Sequence, residues 1–187
     1  WSWGVGLWPQ AGEIGFQADG VTARIWQVSP LGEDPRLGIP CHELGHALLQ
    51  WDDLYDPAGL SWGVGLFCVM SNPSSGTNPL PPCAPLRMRA GWTENVLLDG
   101  VMPDQVAVAG RNRVFYRQHP LVETELYVVE NRARGGRDAA LPDEGLAVYH
   151  VDWRGSNNRP ARRPDAHYMV TLVQADGRWD LENDANW

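Results

Sequence analysis

The sequence predicts an α+β protein: a metal-binding unit on one short helix, then a mainly antiparallel β-rich half. Three observations predict it. An H-E-x-x-H motif, His42-Glu43-Leu44-Gly45-His46, lies in an apolar-periodic segment from Ile39 to Trp51. From about residue 100 the pattern changes to short runs of Val, Tyr and Leu separated by polar linkers with Gly and Pro. The 187 residues suffice for one domain or slightly more with a real core. The expected division is a metal-binding unit over 1–99, with a β-rich region over 100–187 packed on it.

Residues 1–20 are rich in Trp and Gly. The heptad Ser2-Trp3-Gly4-Val5-Gly6-Leu7-Trp8 nearly recurs as Ser61-Trp62-Gly63-Val64-Gly65-Leu66-Phe67. Two copies are too few for a repeat architecture. They read as glycine-rich turns that approach the site or each other. Val21–Val28 is β-branched and aromatic, as a strand would be, and suits an edge along which an extended peptide lies. Residues 29–38 form a loop with two prolines.

The helix follows. Pro40 fits its first turn, where the missing N–H costs nothing. Ile39, Leu44, Ala47, Leu48, Leu49 and Trp51 make it apolar nearly all round, which predicts burial. Buried histidines need partners. His42 and His46 lie one turn apart on one face, so their imidazoles can share a cation. Zinc takes neutral imidazole readily and keeps one position open for water in catalytic sites. Glu43 stands beside the first histidine, placed to accept a proton from that water.

Asp52-Asp53-Leu54-Tyr55-Asp56-Pro57 stops the helix and offers a third ligand. In the H-E-x-x-H-x-x-G-x-x-H pattern the third ligand stands ten residues after the first histidine, with a glycine turn at plus seven. Here Leu49 is at plus seven, so the turn must differ. That departure favours Asp53 at plus eleven over Asp52 at plus ten. Cys41 is either a fourth, sulfur ligand or a small buried apolar residue, and helix geometry favours the second.

Next come a Gly-rich turn and the run Leu66-Phe67-Cys68-Val69-Met70, in which Met70 is either a floor beneath the metal or a plain core residue. Residues 71–85, with five prolines, make a long loop that a Cys68–Cys83 disulfide could close; the spacing leaves this open. Leu86 to Trp92 is expected to be helical, with Gly91 near its end. Strands are expected at Val106–Ala109 and Val114–Arg117 around a hairpin-like break, then at Glu125–Asn131, Gly145–Val151 and Tyr168–Ala175.

A net charge of −8 argues against nucleic acid or an anionic membrane as the main partner. No apolar run is long enough to span a membrane. The chain starts Trp1-Ser2-Trp3 and ends at Trp187 in mid-pattern, so it reads as a piece of a longer protein, truncated at both ends.

Taken in order, these motifs resemble the immune-inhibitor-A-type secreted zinc metallopeptidases. The likeness rests on His42-Glu43-Leu44-Gly45-His46 with Asp53-Leu54-Tyr55-Asp56, then Gly63-Val64-Gly65-Leu66-Phe67-Cys68-Val69-Met70. It continues in Tyr127-Val128-Val129-Glu130-Asn131-Arg132, in the run from Leu141 to Asp152, and in Leu172-Val173-Gln174-Ala175-Asp176-Gly177. The resemblance implies a zincin-like catalytic unit, zinc, structural calcium in many members, and extracellular protein or peptide substrates. It implies zinc on His42, His46 and Asp53, with Glu43 as general base and Met70 at the Met-turn position. Gln50-Trp51-Asp52 replaces the family's Gly-Leu-Pro before its aspartate. Asp138, Asp152, Asp176 and Glu182 are the acidic candidates for calcium.

The expected activity is peptide-bond hydrolysis by a secreted zinc endopeptidase. Tyr55, Tyr149, His150 and His167 are candidates for a second oxyanion stabiliser, the two histidines being better read as structural. The alternatives are a secreted binding or adhesion module with a structural four-ligand metal, and an inactive fragment of a peptidase.

Overall fold

The computed structural model describes residues 9–29, 36–73, 78–102, 104–158 and 167–181. The first heptad copy, Ser2–Trp8, and Glu182 lie outside them.

The fold is mixed α+β and dominated by strands. Strands β1 (Gln10–Ala18) and β2 (Val21–Val28) pair antiparallel as a two-stranded sheet. Asp19 and Gly20, both at positive φ, make the two-residue turn between them. Asp-Gly is a strong hairpin signal, so β1 was legible where only glycine-rich turns were expected. Helix α1 (Gly38–Leu49) packs against this hairpin. A short helix α2 (Ala84–Arg89) precedes a five-stranded sheet of β3 (Glu94–Leu97), β4 (Arg113–Gln118), β5 (Glu125–Arg132), β6 (Gly145–Asp152) and β7 (Val170–Leu172), in that spatial order. Among the described strands only the β3–β4 pair is parallel.

One hydrophobic core joins the two parts. Trp51, Leu54, Val64, Met70 and Leu86 share it with Val114, Val128, Tyr149, Val151 and Val170. Strand β5 alternates as a half-buried strand must: Leu126, Val128, Glu130 and Arg132 turn inward. Glu130 is buried because its carboxylate is fully used. It accepts from the Ala84 N–H (3.0 Å), the Tyr149 hydroxyl (3.0 Å), Arg132 (3.3 Å) and the Arg87 guanidinium. Asp138 holds the far side of Arg132.

Several sequence expectations are corrected. Residues 106–109 are not a strand: Val106 and Val108 are exposed, and among the described residues no strand pairs with them. The break at Gly110–Arg113 therefore closes no hairpin; it leads from the parallel partner β3 into β4. The expected strand at Tyr168–Ala175 shortens to three residues, and the helix expected at Leu86–Trp92 starts two residues earlier. Pro85 sits in that helix's first turn, where proline is tolerated. Helix α1 is not buried all round. Leu44 and Leu48 face solvent, and Cys41 is exposed instead of being a packed apolar residue. Cys68 and Cys83 are free, buried thiols, and the Cys83 N–H donates to the Cys68 sulfur at 3.3 Å.

Candidate metal centre

Helix α1 ends by a left-handed turn at Gln50 (φ 52°), whose N–H still reaches the His46 carbonyl, while the Trp51 N–H reaches that of Gly45. The turn sits eight residues after His42, one later than the glycine of the H-E-x-x-H-x-x-G pattern. The chain that follows reverses direction and brings Asp53 back over the histidines, leaving Asp52 exposed. Two close contacts fix the returning loop. The Leu54 N–H donates to the Met70 carbonyl at 2.9 Å. Gly63 (φ +59°) lies so tight on this loop that a Cβ would sit 1.6 Å from the Leu54 carbonyl oxygen. The second glycine-rich heptad thus does approach the site.

Both imidazoles are oriented from behind. The Nδ1 of His42 donates to the Val69 carbonyl (3.0 Å), and the Nδ1 of His46 to the Trp51 carbonyl (2.5 Å). A carbonyl can only accept, so Nδ1 carries the proton and the Nε2 of a neutral ring is a bare lone pair. The two Nε2 atoms stand 3.1 Å apart, and Asp53 Oδ1 lies 3.0 Å from one and 3.2 Å from the other. That oxygen is buried, yet no hydrogen bond of good geometry reaches it. Three such atoms this close repel unless a proton or a cation lies among them.

The donor set fits zinc. Zn–N and Zn–O bonds of about 2.0–2.1 Å place tetrahedral ligands roughly 3.3 Å apart, close to the spacing here. Among the described residues, no fourth His, Cys, Asp or Glu joins this group. Cys41 is not part of it.

The electrostatics follow from the same crowding. Burial alone would raise the Asp53 carboxyl, but the adjacent imidazoles of His42 and His46 outweigh it and hold the group at about 2. Burial pulls the His46 imidazole down, while Asp53, the Trp51 carbonyl and Glu43 more than offset this and leave it raised. A metal would compete with that proton for the same lone pair. Burial raises the Glu43 carboxyl, partly opposed by the two histidines. Tyr55, whose ring centre lies 6.4 Å from that of His42, is pushed up to about 12 by burial and by the charges of Asp53 and Glu43. Its hydroxyl therefore stays a donor.

Met70 packs beneath the helix: a Cβ on Gly45 would meet its sulfur at 2.6 Å. The other oxyanion candidates are elsewhere. Tyr149 is buried and spends its hydroxyl on Glu130. His150 and His167 lie against Glu125 on the sheet. Of the acidic residues considered for calcium, Asp138 pairs with Arg132 and Asp176 caps the Arg178 N–H from an exposed turn. Asp152 groups with Glu125 and His167.

Comparison with protein-family models, with curated proteins and with solved structures finds no match for this chain.

Sequence reasoning missed three supporting residues. Asp56 is buried and accepts from the Ala58 and Leu60 N–H groups, shaping the loop after Tyr55. Asp-Pro-Ala-Gly at 56–59 carried that turn signal. The Asn158 amide faces the Asp53 and Tyr55 carbonyls, to which its nitrogen, once turned toward the loop, donates at 3.2 and 3.1 Å. Gln50 adopts a left-handed turn that glycine usually makes. Neither Asn158 nor Gln50 carries a sequence signal for these roles.

Proposed function

We propose that the protein is a zinc-dependent endopeptidase with a zincin-like catalytic unit, in which His42, His46 and Asp53 hold the metal. The observation that carries the proposal is the convergence of two Nε2 atoms and one carboxylate oxygen within 3.2 Å, beside Glu43. A three-ligand set leaves a coordination position for water or substrate, as catalytic zinc sites do. A structural site in a binding module would want a fourth protein ligand, and the described residues supply none to this group. The motif resemblance adds secreted location and extracellular protein substrates to the proposal.

When bound, zinc would supply Lewis acidity, acidifying a water and polarising the scissile carbonyl. Glu43 accepts the proton of the attacking water and returns it to the leaving amine. The Val69 and Trp51 carbonyls lock both imidazoles in the tautomer that presents Nε2. Tyr55 donates its hydroxyl toward the oxyanion. The β2 strand offers an extended edge for the substrate backbone.

The test is hydrolysis of unfolded casein by the purified protein, before and after chelation and after zinc is restored. Zinc-dependent cleavage supports the proposal. Cleavage that persists after complete zinc removal rejects it.

A further inference from the structure

On the sheet face opposite the buried side of β5, Glu125 and Asp152 occupy directly paired positions of β5 and β6. Like charges facing each other across a strand pair are destabilising unless something neutralises them. His167, just before β7, places Nδ1 between them: 3.4 Å from Glu125 Oε1 and 3.3 Å from Asp152 Oδ2. That nitrogen is buried, yet its hydrogen-bonding geometry to both oxygens is poor, so it has no bonded partner. The arrangement resembles that at Asp53: three ligand atoms within 4.8 Å of one another, one of them buried without a hydrogen-bond partner.

The second oxygen of each carboxylate is already engaged. Glu125 Oε2 lies 3.5 Å from His150 Nε2. Asp152 Oδ1 accepts the Arg154 N–H at 3.0 Å, with the exposed Arg154 guanidinium 3.7 Å away. The remaining oxygens are thereby turned toward His167, as outer-shell partners orient the ligands of metal sites. Asp152 is 5% exposed, so its charge has little water to lean on.

We propose that Glu125, Asp152 and His167 form a second divalent-cation site, separate from the histidine pair on α1. An imidazole nitrogen beside two carboxylates selects zinc-class ions over magnesium or calcium, whose ligands are oxygens. The site anchors the turn from Asp152 to Asn158. Gly155 in that turn lies where a Cβ would come within 2.4 Å of the His167 carbonyl oxygen. Asn157 pairs with both the N–H and the carbonyl of Val170, and Asn158 reaches the carbonyls of Asp53 and Tyr55. A cation here would stiffen the loop that carries Asp53.

The test is metal content after equilibrium dialysis against zinc, and it does not depend on peptidase activity. The His42→Ala/His46→Ala variant is expected to retain one zinc and to lose it when His167→Ala or Glu125→Gln is added. In the otherwise native protein, His167→Ala is expected to lower bound zinc by one equivalent. An unchanged zinc count in both His167→Ala backgrounds overturns the proposal. So does a His167-dependent site that takes calcium and refuses zinc. If the site is only an imidazolium between two carboxylates, the double variant binds no zinc, which also overturns it.

Discussion

The Nδ1 of His46 donates to the carbonyl of Trp51, five residues further along the chain. The bond exists because Gln50 turns left-handed and folds the exit of α1 back over the helix's last turn. A glutamine there carries a Cβ that the left-handed region disfavours. Gln50→Gly should therefore stabilise the protein, by about 0.5–1 kcal/mol, without loss of zinc affinity. Chemical denaturation midpoints with an unchanged slope would measure it. A destabilised Gln50→Gly variant would mean that the turn is held by contacts of the glutamine side chain.

Asp53 and Asp52 are neighbours with different surroundings. Asp53 lies at both imidazoles and Asp52 faces solvent. Asp53→Ala should weaken zinc by more than about 100-fold, beyond the usual cost of losing an outer-shell partner. Asp52→Ala should leave affinity nearly unchanged. Competitive titration against a chromophoric chelator separates the two, and the reverse order would move the ligand to Asp52.

Glu43 is assigned the proton transfer and no ligand role. Glu43→Gln keeps the shape and removes the base. It should bind zinc normally while kcat on a peptide substrate falls by about 10²–10⁴-fold. A Gln variant retaining most of its turnover would assign the base elsewhere.

Gly63 permits the contact that seats the Asp53 loop. Gly63→Ala combines a strained positive φ with a collision against the Leu54 carbonyl, so Tm and zinc affinity should fall together. Gly59→Ala, also at positive φ but in open space, serves as the control. It should lower Tm by less and leave zinc affinity unchanged.

Glu130 is the buried acceptor that joins α2, β5 and β6. Glu130→Ala leaves the buried Arg132 with Asp138 as its remaining carboxylate and strips the Ala84 N–H, the Tyr149 hydroxyl and Arg87 of their shared acceptor, and should destabilise by about 3–5 kcal/mol. Equilibrium denaturation measures this. A loss under 1 kcal/mol would show that Asp138 alone supports Arg132.

Part of this molecule could be read from the sequence. The i, i+4 spacing placed His42 and His46 on one face, and the missing glycine at Leu49 pointed to the later aspartate that the structure brings in. Local signals of this kind need only helix geometry. Strands β4, β5 and β6 were visible as well, because alternation reports burial on one face. What stayed hidden was non-local. Val106–Ala109 has strand composition but, among the described residues, no partner strand, and composition does not supply one. Strand β3, parallel to β4 across a long connection, left no turn signal to announce it. The Glu125–Asp152–His167 group depends on strand register, which sequence spacing does not encode.

The most direct measurement of the central claim is zinc K-edge absorption on the His167→Ala variant loaded with one equivalent of zinc. The account predicts two imidazole nitrogens and one carboxylate oxygen at about 2.0–2.1 Å, with one further light-atom ligand from solvent. A sulfur scatterer near 2.3 Å, or an unchanged spectrum after His46→Ala, would contradict it.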